Sequence, residues 1–349
     1  MAIGGISWFS NLYGLGADNV VSFEVVLATG AIVTARRTGR FADLYRALRG
    51  GAGNFGVVTS FTLAAHPYSG MWAGRMIWGY SDRETVAVTD KFLRTGAVSS
   101  TVDAKAFVIL ALTTAAPEKD WVWATSLVYC ESVENPVAFD EIWKPDGSSA
   151  LEQSGALRHQ TQLVAELNLA YPSHLQHALW TISIGIDTEL LHCCAQIWVA
   201  EMQPLLYNVD GFKAQLVVQY ITSGMLRGAA RNGGNTLGLG TEPFLMLNSE
   251  PQWEKATDTR RVHAAIDRAF AKMTAEATRR GLAHGYVYCN YASQYQDPMG
   301  SYGVKAKRFM SEVSRKYDPE HVFQRLRDAG FKLSGAPKAV QSLRSDARL

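Results

Sequence analysis

The spacing of apolar and polar positions changes along the chain, and the changes predict its elements. Val20 to Ala28 alternates, with Val21, Phe23, Val25 and Leu27 on one face, which predicts a strand. Thr29-Gly30 marks a tight turn, and Ala31 to Arg36 returns as the second arm of a hairpin. Phe41, Leu44, Tyr45 and Leu48 follow the i, i+3, i+4, i+7 spacing of a helix, and the β-branched run Val57 to Leu63 predicts a strand. Pro, Ser and Gly cluster at 66–72, where a boundary is expected.

Beyond that boundary the pattern predicts strands over Met71 to Trp78, Lys105 to Thr114, Trp121 to Glu131, Lys213 to Tyr220 and Pro243 to Asn248. Helices are expected over Ser81 to Thr95, Asn135 to Trp143, Glu189 to Met202 and Asp258 to Arg280. The first opens on the capping-box spacing Ser81-Asp-Arg-Glu84. Residues 161–169 and 175–180 fit either period. The stretch from 71 to about 284 therefore reads as an antiparallel sheet with helices on one face, an α+β layer. At 286–302 a short strand runs into a polar, aromatic-rich turn. A helix over Lys305 to Tyr317, a break at Asp318-Pro319, a terminal coil from Phe323 and a fraying tail after Lys332 follow.

Composition narrows the function. The 349 residues are 47% hydrophobic and 19% charged, which suits a globular chain of two domains. A net charge of +2 gives no electrostatic reason to bind nucleic acid or an anionic membrane. No run approaches the roughly 20 apolar residues of a membrane span. The first residues lack a basic region and a clean apolar core, so they do not read as a secretory signal, and the chain reads as cytoplasmic if its start is genuine. Cys130, Cys193, Cys194 and Cys289 form no Cys-x-x-Cys pair, and His174 and His177 lack a third ligand, so no metal site is expected. Neither a Gly-x-Ser-x-Gly elbow nor a Walker loop is present.

One motif asks for a ligand. Gly51-Ala-Gly53-Asn-Phe-Gly56 has the Gly-x-Gly-x-x-Gly spacing of a dinucleotide turn, which requires a strand before the glycines and a helix after them. Here the helical pattern precedes and the strand pattern follows, which argues against an NAD-type Rossmann unit. A glycine-ended helix, or a loop whose backbone N–H groups meet a phosphate, are the readings left open.

Three ordered blocks carry a resemblance. "GGISWFSNLYGLGADNVVSFEVVLATGAIVTA", "DLYRALRGGAGNFGVVTSFTL" and "YVYCNYASQYQDPMGSYG" with "KYDPEHVFQ" resemble the berberine-bridge-enzyme-like FAD-linked oxidoreductases of the vanillyl-alcohol-oxidase, or PCMH-type, FAD-binding superfamily. Fungal members of secondary-metabolite pathways look closest. The resemblance implies the C-terminal part of a PCMH-type FAD-binding domain plus an antiparallel-sheet substrate domain. Residues 1–68 and 286–335 would be flavin-domain parts, 69–285 the substrate domain and 336–349 a flexible tail. It implies that Gly4 and Gly5 pass close to the flavin and that Asp18, Asn19 and Val20 line the cofactor with backbone groups. Gly53, Asn54, Gly56 and Val57 would contact the adenosine diphosphate end, glycine there letting the backbone approach the ligand. Asn290 and Tyr291 would return beside the isoalloxazine.

Tyr220, Tyr288 and Tyr291 are the candidate catalytic bases, because the family places a Tyr or Glu over the flavin ring. Family members also carry an upstream half-domain with the first phosphate-binding loop and, in some, the His and Cys bonded to the flavin. No residue here matches those, so FAD held non-covalently, and weakly, is expected. A second chain could supply the missing half. The expected activity is hydride abstraction from a small-molecule alcohol, amine or activated C–H. A flavin-free isomerase or cyclase and a non-catalytic remnant are the alternatives.

Overall fold

The computed structural model describes residues 3–115, 120–143, 150–169, 172–327 and 330–335; the tail expected at 336–349 lies outside them. In chain order the first elements are α1 (Ser10–Tyr13), β1 (Val20–Val26), β2 (Ile32–Arg36), α2 (Ala42–Leu48) and β3 (Val57–Leu63). Then come β4 (Met71–Gly79), α3 (Asp82–Thr101), β5 (Ala106–Ala115), β6 (Asp120–Tyr129), α4 (Asp140–Trp143), β7 (Ala150–Arg158), α5 (Gln160–Leu169), β8 (Gln176–His177), β9 (Trp180–Ile184) and α6 (Thr188–Asn208). The chain continues with β10 (Gln215–Ile221), α7 (Ser223–Arg227), β11 (Phe244–Ser249), β12 (Gln252–Trp253), α8 (Thr259–Arg279) and β13 (Ala283–His284). It ends with α9 (Pro298–Ser301), α10 (Val304–Tyr317) and α11 (Val322–Arg325).

Two compact units result. The first draws on residues 3–67, 223–242 and 285–335, and the second on 68–222 and 243–284. The stretch 223–242 differs from the sequence expectation, which ran one substrate domain from 69 to 285. It packs in the first unit because α7 lies against α1, with Gly224 so close to the Asn11 carbonyl that a Cβ would stand 2.6 Å from it.

The first unit holds an antiparallel sheet in the order β2-β1-β3. The central strand is held in register by Phe23 opposite Ala35 on one side and Phe61 on the other. Its core is Val20, Phe23, Val25, Leu44, Tyr45 and Leu48, all buried. The glycine loop after α2 leads into β3, the helix–loop–strand order the pattern predicts.

The second unit is an eight-stranded antiparallel sheet in the order β13-β9-β11-β10-β5-β6-β4-β7. Helix α3 packs on β5, and α6 packs on α3 and α8. Ser81 caps α3 by accepting from the Glu84 N–H at 3.2 Å, the capping side chain the sequence points to. Alternation sorts the strands into two faces. Leu216, Val218 and Tyr220 of β10 face α3, because a Cβ at Gly96 of that helix would run into the Tyr220 ring. The opposite face carries Ile109, Gln219, Met246 and Ser183 in one cross-strand row, and Ala111, Val217, Asn248 and Thr181 in the next.

The Gly96–Tyr220 contact allows a stability test. A mid-helix Gly→Ala change normally gains about 1 kcal/mol, but overpacking a filled core costs roughly 1–3 kcal/mol. Gly96→Ala is therefore expected to lower the unfolding midpoint, and adding Tyr220→Leu should recover most of the loss. A thermal melt in which Gly96→Ala alone is more stable than the parent would contradict this packing.

Two sequence expectations fail here. Tyr286 to Tyr288 is not a strand; only Ala283–His284 extends, pairing with β9, and the chain then turns with Tyr291 N–H bonded to the Tyr288 carbonyl at 3.0 Å. The coil expected from Phe323 contains α11, where Asp318 accepts the Val322 and Phe323 N–H groups at 2.7 and 2.9 Å.

Candidate functional site

In the first unit, residues far apart in sequence meet at a glycine turn. Gly4 and Gly5 have φ of +107° and +94°, where a side chain is strained, so two successive glycines are required. Their carbonyls accept the N–H groups of Ala17 and Gly16 at 2.7 and 2.6 Å, which ties the turn to the 14–19 loop. The Tyr288 hydroxyl accepts the N–H groups of Gly5 (3.1 Å) and Ile6 (3.0 Å), and the Asn290 side-chain amide lies 2.7 Å away. Asn290 has only two polar side-chain atoms, and the one turned from Tyr288 is buried without a protein partner. That spare amide atom beside the glycine turn is what a ligand with its own hydrogen-bonding edge would engage.

The three candidate tyrosines separate. Burial, with the neighbouring Tyr291, pushes the Tyr288 phenol well above its ordinary pKa despite the three donors around it. It stays neutral at physiological pH and holds the turn; a base it is not. Tyr220 sits in the sheet–helix core of the other unit and is pushed up by burial alone, so its role is packing. Tyr291 is half-buried, its ring meeting Tyr288 edge-on at 4.9 Å. It is the one of the three with solvent access and a place beside Asn290.

The side chain of Asp18, whose backbone is expected to line a cofactor, is the anion of a buried ion pair. Arg49 donates to it at 2.9 Å, and both side chains are fully buried. Asp18 also accepts from the Leu15 N–H at 3.1 Å and from Asn235 at 2.9 Å. Arg49 further donates to the carbonyls of Ala17, at 2.8 Å, and Gly234. Burial raises the Asp18 carboxyl above its usual range, and Asn235, Arg49 and the Leu15 N–H pull it back only in part. The network fixes the 14–19 loop, the end of α2 and the 234–237 stretch to one another. Asn19 donates to the Tyr13 and Leu15 carbonyls at 3.1 and 2.9 Å, and its oxygen meets His66 at 2.9 Å while the His66 ring stacks on Tyr13 at 3.6 Å. Val20 is buried, its carbonyl accepting the Tyr45 hydroxyl at 2.6 Å.

The glycine loop is explained largely by the chain itself. A Cβ at Gly51 would stand 2.5 Å from the Ala47 carbonyl, at Gly56 2.5 Å from Val25, and at Gly53 2.7 Å from the Arg327 guanidinium. At Gly56 the Val25 side chain and the Val26 carbonyl leave no room for a side chain, whereas at Gly53 the neighbour is the movable end of Arg327. Asn54 is buried and donates to Gly51 and Phe331 at 2.8 and 3.1 Å while accepting from Gln324 at 3.0 Å. It pins the loop to the C-terminal stretch, leaving only backbone for a ligand. Val57 is exposed. Sequence reading missed Arg49, Asn235 and Arg327, because nothing local marks side chains whose partners lie between 31 and 273 positions away.

Among the described residues no group of three or more His, Cys, Asp or Glu is placed to hold a metal ion, and no helix is long and apolar enough to cross a membrane.

This mixed helix and antiparallel-sheet architecture is a fold shared with solved oxidases. 6-Hydroxy-D-nicotine oxidase from Arthrobacter nicotinovorans matches with a TM-score of 0.71 at 20% identity, over 92% of this chain and 68% of that one. A berberine-bridge-enzyme-like protein from Arabidopsis thaliana matches with a TM-score of 0.69 at 16% identity, over 92% and 69%. By sequence, the chain is similar to the FAD-dependent monooxygenase FUP4 of Fusarium proliferatum, 33% identical over 341 residues. That alignment takes in 95% of this chain and 65% of the relative, so the chain spans about 65% of the length of the curated relative it matches. No family model matches the chain.

Proposed function

We propose that the chain is part of an FAD-linked oxidoreductase of fungal secondary metabolism, removing a hydride from an alcohol, amine or activated C–H of a small molecule. The observation that carries this reading is the glycine turn at 4–6 locked by Tyr288, with the spare amide atom of Asn290 beside it. The fit to FAD is good at the ring end. Gly4, Gly5 and Asn290 would hold the isoalloxazine, whose flat edge bears both donors and acceptors. At the other end Gly53 and Asn54 offer backbone alone. Bound FAD would supply the acceptor for the hydride and pass its electrons to O2.

The chain's own residues do the rest. Tyr291 takes the proton that leaves the substrate as the hydride departs, and Tyr288 keeps the turn rigid. The name of FUP4 supports flavin chemistry with oxygen, and the solved structures support an oxidase fold.

A polypeptide corresponding to the remaining third of the relatives would complete the FAD site, in the same chain or from a second one. Val21, Ile32, Val57, Phe61 and Leu63 of the first unit's sheet are exposed apolar side chains that such a polypeptide would cover. The test is an FAD titration of the 349-residue chain by flavin fluorescence, followed by acid precipitation. We expect weak binding, with a Kd well above about 10 μM, since each missing charge-assisted bond to the pyrophosphate is worth about 1.5–3 kcal/mol. All flavin should appear in the supernatant. Yellow protein whose flavin stays in the pellet would overturn the expectation of weak, non-covalent binding, and a chain that ignores FAD even with the complementary polypeptide present would overturn the assignment itself.

A further inference from the structure

We propose that this chain pairs with a second copy of itself through the outer edge of strand β7. Among the described residues the strand partner of β7 is β4 alone, so its other edge presents unpaired backbone N–H and C=O groups along nine residues. Natural sheets blunt such an edge with Lys, Pro, a bulge or a covering element. The sequence ALEQSGALR contains neither Lys nor Pro. The one irregularity in its pairing lies at the Ile77/Trp78 end, which leaves the rest regular. The following helix α5 does not cover the edge with a packed face, since it buries none of its own side chains. Leu151 of β7 is 68% exposed, and Val164, Leu167 and Leu169 of α5 are exposed as well. Apolar surface is thus concentrated at the open end of the sheet.

Charge selects the occupant and the register. An antiparallel pair of identical strands is related by a twofold axis, and the residue on the axis fixes every other pairing. Centred on Gly155, the pairing sets Glu152 opposite the second copy's Arg158 and Arg158 opposite the second copy's Glu152. Gln153 then faces Leu157, and Ser154 faces Ala156. Moving the centre by one residue either way sets Glu152 opposite Ala156 or Gln160 and loses both ion pairs.

The two charged side chains are held only by long contacts at the surface. Glu152 is exposed and accepts from the Ser154 hydroxyl at 3.5 Å, and Arg158 reaches Glu166 at 3.6 Å and the Leu157 carbonyl at 3.3 Å. On the same face β4 adds the exposed cation Arg75, opposite Ser154 in register. Gly155 on the axis is small because Trp72 and Trp143 fill the space where its side chain would be. The result is a closed dimer with one sheet running through both copies, in which Leu151 and Leu157 lose solvent and neither copy keeps an open β7 edge.

Sedimentation velocity on the full chain across roughly 1–100 μM tests this. We expect a reversible dimer of twice 38.3 kDa. Glu152→Arg and Arg158→Glu should each weaken it by tenfold or more, and the swapped pair Glu152→Arg/Arg158→Glu should restore it. The far-UV circular dichroism of each variant should match the parent, since all three changes are on the surface. A chain that stays monomeric at 100 μM would overturn the proposal. So would a dimer that both single changes leave within twofold, a loss that the swap does not repair, or open-ended growth past two copies.

Discussion

Arg49→Met is expected to lower stability by roughly 3–5 kcal/mol, the loss typical of leaving one member of a buried ion pair alone. Asp18 would then sit fully buried without its guanidinium partner, although Asn235 and the Leu15 N–H still donate to it. The carbonyls of Ala17 and Gly234 would lose their donor as well. The sign of the pH dependence follows. Without Arg49 the folded-state pKa of Asp18, already raised by burial, rises further. A group raised in the folded state contributes stability below its unfolded pKa, about 3.9, and loses it as pH rises through the folded value. The variant should therefore lie closest to the parent near pH 4 and furthest from it at neutral pH. Asp18→Asn combined with Arg49→Met should lose less than Arg49→Met alone, because no charge is then stranded. Urea unfolding of the parent and the two variants at two pH values measures all of this. A loss below 1 kcal/mol for Arg49→Met at pH 7 would mean the pair does not hold these loops.

The second large effect separates two neighbouring tyrosines. Tyr288→Phe removes the oxygen that accepts the Gly5 and Ile6 N–H groups. Two part-buried donors left unsatisfied cost about 1–3 kcal/mol each. The 4–6 turn should loosen, and FAD affinity should fall by tenfold or more. Tyr291→Phe changes nothing in that turn and should leave FAD affinity within twofold. In turnover the order reverses. Losing a proton acceptor costs on the order of 10²- to 10⁴-fold in rate, so Tyr291→Phe should slow flavin reduction by a substrate far more than it weakens the cofactor. The titration is best made on the parent chain with the complementary polypeptide present, where the starting affinity is high. Equal loss of FAD affinity in the two variants would remove the distinction between holding and reacting.

Local patterns made much of the first unit legible. Helix 42–48 and strand 57–63 have clean periods of 3.6 and 2, and the glycine turn and the Asn290-Tyr291 pair lie inside contiguous motifs. What was illegible is non-local. Alternation in β10 shows that Tyr220 shares a face with Val218, but not that α3 packs on that face. Strand β7 gave no signal, because Ala150 to Arg158 contains no β-branched or aromatic residue and has a glycine at its centre. Tyr286-Val287-Tyr288 has the residue types of a strand, yet the chain turns there to deliver one hydroxyl to residues 5 and 6. The return of 223–242 to the first unit has no marker in composition. Only α7 against α1 shows it.

The bond between Tyr288 and Gly5 spans 283 positions of the chain, and it sets the order in which the molecule can be completed. A ribosome adding about 5–20 residues per second needs roughly 11–44 seconds to travel from residue 67 to residue 285. Throughout that interval the first hairpin and its glycine turn exist without the tyrosine that closes them. The eight-stranded sheet, by contrast, has all its strands once residue 284 has emerged. Synthesis therefore delivers the second unit first and leaves residues 3–67 waiting, open to chaperones and proteases. A polypeptide stopped near residue 280 would keep every strand of the large sheet except the two-residue β13, yet could never seal the glycine turn at residues 4–6.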